Sequence, residues 1–128
     1  MELPYNIEAE KQVLANMIFS SDMLVETFSR LSAEDFYLKE HQIIFKALKT
    51  IFDENKAKVE PFALIDRLSK EGNLDKVGDA SYILDLVDSY IDIANAKYYI
   101  NSVEERSILR KLILAAQEIV SKWQVDSG

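Results

Sequence analysis

The chain has 128 residues, enough for one domain that buries roughly two-thirds of its unfolded surface without staples. No cysteine and a single histidine exclude a disulfide framework, a thiolate nucleophile and a histidine-based metal site within one chain. Its 15 Lys and Arg stand against 22 Asp and Glu, a net charge of −7, and even residues 104–128 only balance at 4 and 4. No segment offers the basic surplus that a phosphate backbone or a membrane surface demands, so little direct DNA binding is expected.

Three Gly and two Pro are too few for a strand-rich fold, and the apolar spacing is helical almost throughout. Asn6 caps a first predicted helix with Ile7, Leu14, Met17 and Ile18 on one face and Glu8 and Glu10 near its positive end. Ser20-Ser21-Asp22 breaks it, and Asp22 is the expected cap of a second helix bearing Leu24, Phe28 and Leu31. Ser32-Ala33-Glu34-Asp35 reads as a shortened capping box opening a single turn that ends at Phe36 and Tyr37. From about Glu40 to Asp53, His41, Ile44, Leu48, Ile51 and Phe52 form an inward stripe, followed by an exposed loop over residues 53–58.

Pro61 suits the first position of the next helix, whose Phe62, Ile65 and Leu68 are expected inside, with Gly72 as a left-handed stop. Gly78-Asp79 opens another helix, carrying Ile83, Leu86, Val87 and Tyr90. From Asn95 to Trp123 neither Gly nor Pro interrupts the chain, which predicts a rod of about 29 residues, roughly 43 Å long. Its apolar residues are Tyr98, Tyr99, Val103, Leu109, Leu112, Ile113, Ala116, Ile119, Val120 and Trp123. No later helix covers the second half, so it either folds back on the body or meets another chain. The end, Asp126-Ser127-Gly128, reads as a cut in a polar turn and suggests a domain taken from a longer protein.

Chemistry is scarce. The phosphate-cradling GxxxxGK[ST] pattern is missing. Asp85, Asp88 and Asp92 share a helical stripe, which reads as a solvated face sooner than a divalent-metal site. His41, with Ile44 and Leu48 as its i+3 and i+7 neighbours, reads as a half-buried structural histidine; a small enzyme using it with a carboxylate is the competing view. Tyr82, Tyr90, Tyr98 and Tyr99, with only Lys97 among them and no run of Lys and Arg, read as core or interface aromatics. No run reaches the 18 apolar residues of a membrane span, and Met1-Glu2-Leu3-Pro4 is no secretory leader, so a cytoplasmic protein is expected.

Several segments, in order, resemble one family. Leu3-Pro4-Tyr5-Asn6-Ile7-Glu8-Ala9-Glu10 with Val13-Leu14 is similar to an LPxNxEAExxVL start. Ser32 to Tyr37 is similar to an LSPEDFY turn, and His41-Gln42-Ile43-Ile44-Phe45 to an HxxIF helix. Gly78 with Ser81-Tyr82-Ile83 and Leu86 resembles GGxxYLxxL. Asn95, Tyr98, Val103-Glu104-Glu105 and Leu109-Arg110-Lys111-Leu112-Ile113 resemble NxxxYAxxVxExxxLRxLI. Together these resemble the N-terminal domain of bacterial DnaB-type replicative DNA helicases. Val77 in place of a first Gly, Tyr99 in place of Ala, and Glu60-Pro61 depart from that pattern.

The resemblance implies an all-α fold. Residues 1–94 would form a compact multi-helix body and residues 95–128 a long C-terminal helix, the first arm of a hairpin. The second arm and the RecA-like ATPase motor domain lie outside this chain. It further implies a non-catalytic collar, with no cofactor here and ATP and Mg handled by the motor. Six copies would assemble as a trimer of dimers within a nucleoid-associated replisome, docking the primase C-terminal domain and in some systems a loader. Leu112, Ile113, Ile119, Val120 and Trp123 are the expected interface residues, because their stripe is uncovered. Glu8 and Tyr82 are candidates at a polar rim, although Glu8 also complements the first helix dipole. The helicase-binding domain of primase, which shares the fold, and an unrelated helical adaptor are the other readings.

Overall fold

The computed structural model describes residues 2–127, with side chains described through residue 124. Most of the described residues are helical, with no strand among them. Six helices follow in order: α1 Ile7–Phe19, α2 Ser21–Arg30, α3 Lys39–Asn55, α4 Pro61–Lys70, α5 Asp79–Asp88 and α6 Ala96–Ser127. Short 3-10 turns at Ala33–Asp35, Asp75–Val77 and Ile93–Asn95 join them.

Helix α1 is the hub. The Asn6 side chain caps it by accepting from the Ala9 N–H at 3.0 Å, and every residue from Ala9 to Ile18 except Lys11 is buried. A helix buried on most sides carries its polar groups inside, so each needs a partner. Gln12 supplies two such bonds across the fold, donating to Ser89 O at 2.5 Å and accepting from the Ile91 N–H at 3.3 Å. These bonds hold the α5–α6 connection against α1. Asn6 Nδ2 donates to Ser102 Oγ at 3.0 Å and Arg110 donates to Pro4 O at 3.0 Å, so α1 and α6 run antiparallel.

Several local details differ from the sequence expectations. Ser20, not Asp22, caps α2: its hydroxyl accepts from the Met23 N–H at 3.2 Å, leaving Asp22 inside the first turn. On α4 the buried side chains are Leu64 and Leu68, whereas Phe62 is 73% exposed. Pro61 occupies the first turn as expected, and the i, i+4 pair settles the inward face. α3 runs on through Asn55 and stops at Lys56 in a left-handed conformation (φ 54°), so the loop is shorter than the polar run suggested. Tyr90 lies beyond the end of α5 and stacks on Phe19, ring centroids 4.3 Å apart. Asp92 is off that helix too; it accepts from the Ala94 N–H and so belongs to no acidic stripe with Asp85 and Asp88. The chain end expected as a turn is helical through Ser127, with Gly128 outside the described residues.

The core joins residues of every helix, including Ala96, Ile100 and Val103 from the first half of α6. Gly78 is needed where it stands: its φ is 94°, and a Cβ there would lie 3.1 Å from the Cβ of Tyr82. That close approach sets Tyr82 on α5 toward α3. Among the described residues no helix is long and apolar enough to cross a membrane.

Candidate protein interface

The inward stripe of α6 reads Ala96, Ile100, Val103, Ser107, Arg110, at the three- and four-residue steps of one helix face. All five are buried, but the last two are polar, and beyond Arg110 no described residue of α6 is buried. The helix therefore leaves the body at Arg110. The remaining residues to Ser127 extend it by roughly 25 Å at 1.5 Å per residue.

A polar clamp holds this root. The Arg110 guanidinium donates to Pro4 O at 3.0 Å and to Asp35 O at 2.7 Å, and lies 5.6 Å over the Tyr37 ring. Ser107 donates to Asp35 Oδ1 at 2.6 Å, and Lys111 Nζ approaches the same oxygen at 3.3 Å. The Ser32 N–H donates to Asp35 Oδ2 at 2.8 Å, so the turn foreseen at Ser32–Asp35 also works as the socket for α6. On the other flank Arg30 donates to Asn101 and Glu104 at 2.5 and 3.0 Å.

Burial alone would raise the pKa of Asp35. The Ser107 hydroxyl, the Ser32 N–H and Lys111 outweigh it, holding the carboxyl below its ordinary 3.8. A depressed folded value means stability that is present above the unfolded pKa and lost as pH falls through the folded one. Thermal midpoints of the native chain and Asp35→Asn should therefore differ most near neutrality and converge as the pH falls through and below the ordinary carboxyl range. A difference independent of pH would contradict this.

Past the clamp, the helix is apolar over two adjoining stripes. Leu109, Ile113, Ala116, Val120 and Trp123 form one, at i, i+4, i+7, i+11 and i+14. Ile108, Leu112, Ala115 and Ile119 form the second, a residue earlier throughout. Leu112 is 61%, Ile119 68%, Val120 55% and Trp123 69% exposed, and Ile113 is partly so. A shallow apolar facet runs along Ile113, Ala116 and Val120 between Gln117, Ser121 and Gln124. The sequence expectation that this stripe is not covered by its own body agrees with these exposures. Ile108 and Leu114, both about half exposed, widen the apolar surface and were missing from the expected set.

Glu8 and Tyr82 sit elsewhere, on the body. Tyr82 OH lies 2.6 Å from His41 Nε2, and His41 Nδ1 lies 2.7 Å from Glu10 Oε1. Glu10 Oε2 also accepts from the Tyr37 N–H at 2.7 Å. Burial pushes the Tyr82 phenol up to about 12, and Glu40, Glu10, Glu8 and Asp85 push the same way, so it stays a donor at neutral pH. Glu8 is thus an electrostatic neighbour of Tyr82, exposed and 3.8 Å from Lys11. His41 has no exposure at all, deeper than the half-buried position expected of it. With both ring nitrogens engaged it meets no solvent-borne substrate.

A family model described as the DnaB-like helicase N terminal domain matches residues 2–105. The chain belongs to that family.

Among DnaB-type relatives, replicative DNA helicase DnaC of Bacillus subtilis is 38% identical over 119 residues, covering 91% of this chain and 25% of the relative. Replicative DNA helicase DnaB of Geobacillus stearothermophilus is 36% identical over 116 residues, again 91% and 25%. The chain thus spans about a quarter of the length of the curated relatives it matches. A crystal structure of the N-terminal domain of DnaB helicase from Mycobacterium tuberculosis superposes with a TM-score of 0.92. It has 28% identity, over 98% of this chain and 89% of that one. The all-α DnaB N-terminal fold with a long C-terminal helix is the one expected from the resemblance. Sequence reading missed the carboxylate that pairs with His41 and the buried role of Arg110, although both lie on inward stripes: Glu10 precedes Leu14 and Met17, and Arg110 follows Val103 and Ser107.

Proposed function

We propose that this chain is a non-catalytic assembly and docking domain of a replicative DNA helicase. One observation carries the reading: a helix clamped to the body at Arg110 continues outward with two adjoining apolar stripes exposed. Burying each large side chain of those stripes contributes on the order of 1.5 kcal/mol or more before association costs. A coiled-coil seam needs one narrow stripe, whereas two stripes suit a helix packed between neighbours. In the parent these would be a second hairpin arm and the hairpin of an adjacent subunit, giving a ring built from dimers.

The collar so formed would dock the primase C-terminal domain and in some systems a loader, with Leu112, Ile113, Ile119, Val120 and Trp123 in the contact. Glu8 and Tyr82 would form a separate polar contact on the body. ATP, Mg and most DNA contacts would belong to the motor domain of the parent, an ATP-dependent helicase acting in the bacterial cytoplasm. The net charge of −7 supports a protein partner over a nucleic acid.

Ile119→Glu in the full-length parent tests this. Sedimentation is expected to report loss of the ring or at least tenfold weaker primase binding, with an unchanged helical circular dichroism spectrum. Normal assembly together with normal primase binding would overturn the reading.

A further inference from the structure

Beside the root of α6 lies an open groove lined by Phe36, Tyr37, Lys39, Arg110, Lys111 and Leu114, with Leu3, Glu34, Gln42 and Ser107 completing its walls. Three of its lining residues are cations and one is an acid, in a chain whose net charge is −7. The Arg110 guanidinium is 92% buried as a residue, yet its hydrogen bonds go to backbone carbonyls of Pro4 and Asp35, not to a carboxylate. Lys39 has no ion pair among the described residues and stands as the first residue of α3, where the helix end is itself positive. Asp35, just beside the groove, is already engaged by Ser32, Ser107 and Lys111, and counted together with Glu34 in the lining it still leaves the three cations in excess by one. The local charge is thus left incompletely answered by the chain.

We infer that this groove receives a single carboxylate on an apolar peptide segment of a docking protein. Leu114, half exposed, joins the groove to the distal half of α6, so a partner lying along that helix would reach the groove with its end. The apolar walls favour a peptide, and the surrounding negative charge disfavours a polyanion such as nucleic acid. A carboxylate there would meet Lys39 and Lys111 directly and the Arg110 charge at short range. The inference rests on reading α6 as a docking surface.

The test is an NMR titration of the labelled chain with acetyl-Leu-Glu amide, acetyl-Leu-Gln amide and oligothymidylate. Saturable shifts at Lys39, Gln42 and Lys111 are expected, with the glutamate probe roughly tenfold tighter than the glutamine probe. Lys39→Gln should erase most of that preference. Equal affinity for both dipeptides, or a tighter response to oligothymidylate, would overturn the inference and leave the assembly reading standing. Conversely, a glutamate preference beside an Ile119→Glu parent that assembles and binds primase normally would keep the carboxylate site but remove its place in docking, overturning the inference as stated.

Discussion

Replacing Glu10 with alanine is expected to lower the unfolding free energy by about 2–4 kcal/mol, because a buried hydrogen-bond donor left without its acceptor costs about 1–3 kcal/mol and further N–H groups lose theirs at the same time. The carboxylate is 2% exposed and accepts from His41 Nδ1 and from the Tyr37 and Leu38 N–H groups, at 2.7, 2.7 and 3.4 Å. Removing it leaves the fully buried His41 donor and two partly buried backbone donors without their acceptor in one place. Since a domain of this kind holds only about 5–15 kcal/mol in total, urea unfolding followed by circular dichroism should show a large shift of the midpoint. Glu10→Gln should cost less, because the amide oxygen still accepts one of the three bonds. A midpoint within experimental error of the native chain for Glu10→Ala would show that water replaces those bonds and that the network holds little.

Arg110→Ala is expected to cost about 2–3 kcal/mol, the usual loss for hydrogen bonds from a charged group, together with the packing of its stem. Its distinctive result is local. The guanidinium joins both Pro4 and Asp35 to α6, so amide exchange should accelerate at residues 3–6, in the turn Ala33–Asp35 and in α6 around Ser107. Lys should not rescue it, because one ammonium cannot span two carbonyls as the planar fork does. Uniform acceleration over the whole chain would contradict a clamp and indicate a general loss of packing.

Periodicity was enough for the helices and for the stripe that leaves the body. Apolar side chains at three- and four-residue steps have one low-energy arrangement, and a long run without Gly or Pro continues as helix. Caps were harder. Ser20 and Asp22 are both good capping residues two positions apart, and only the chain direction entering α2 decides between them. Phe62 illustrates a related limit: it and Leu64 both fit a helical face, and the direction in which α4 meets α3 selects Leu64. The buried polar groups were the least legible. A sequence shows Glu10 and His41 thirty-one positions apart, and nothing local announces that the α1–α3 packing brings Oε1 to 2.7 Å from Nδ1. The signal available was a carboxylate on an inward stripe, which must find a partner somewhere in a chain with a single histidine.

The most direct measurement compares amide hydrogen exchange of residues 111–124 in the isolated chain and in the assembled full-length parent. Strong protection of those amides is expected on assembly, while the buried amides of α1 should exchange as slowly in both. Equal exchange of the distal half of α6 in the two states would mean that its apolar stripes meet no neighbour and that α6 is not an assembly surface.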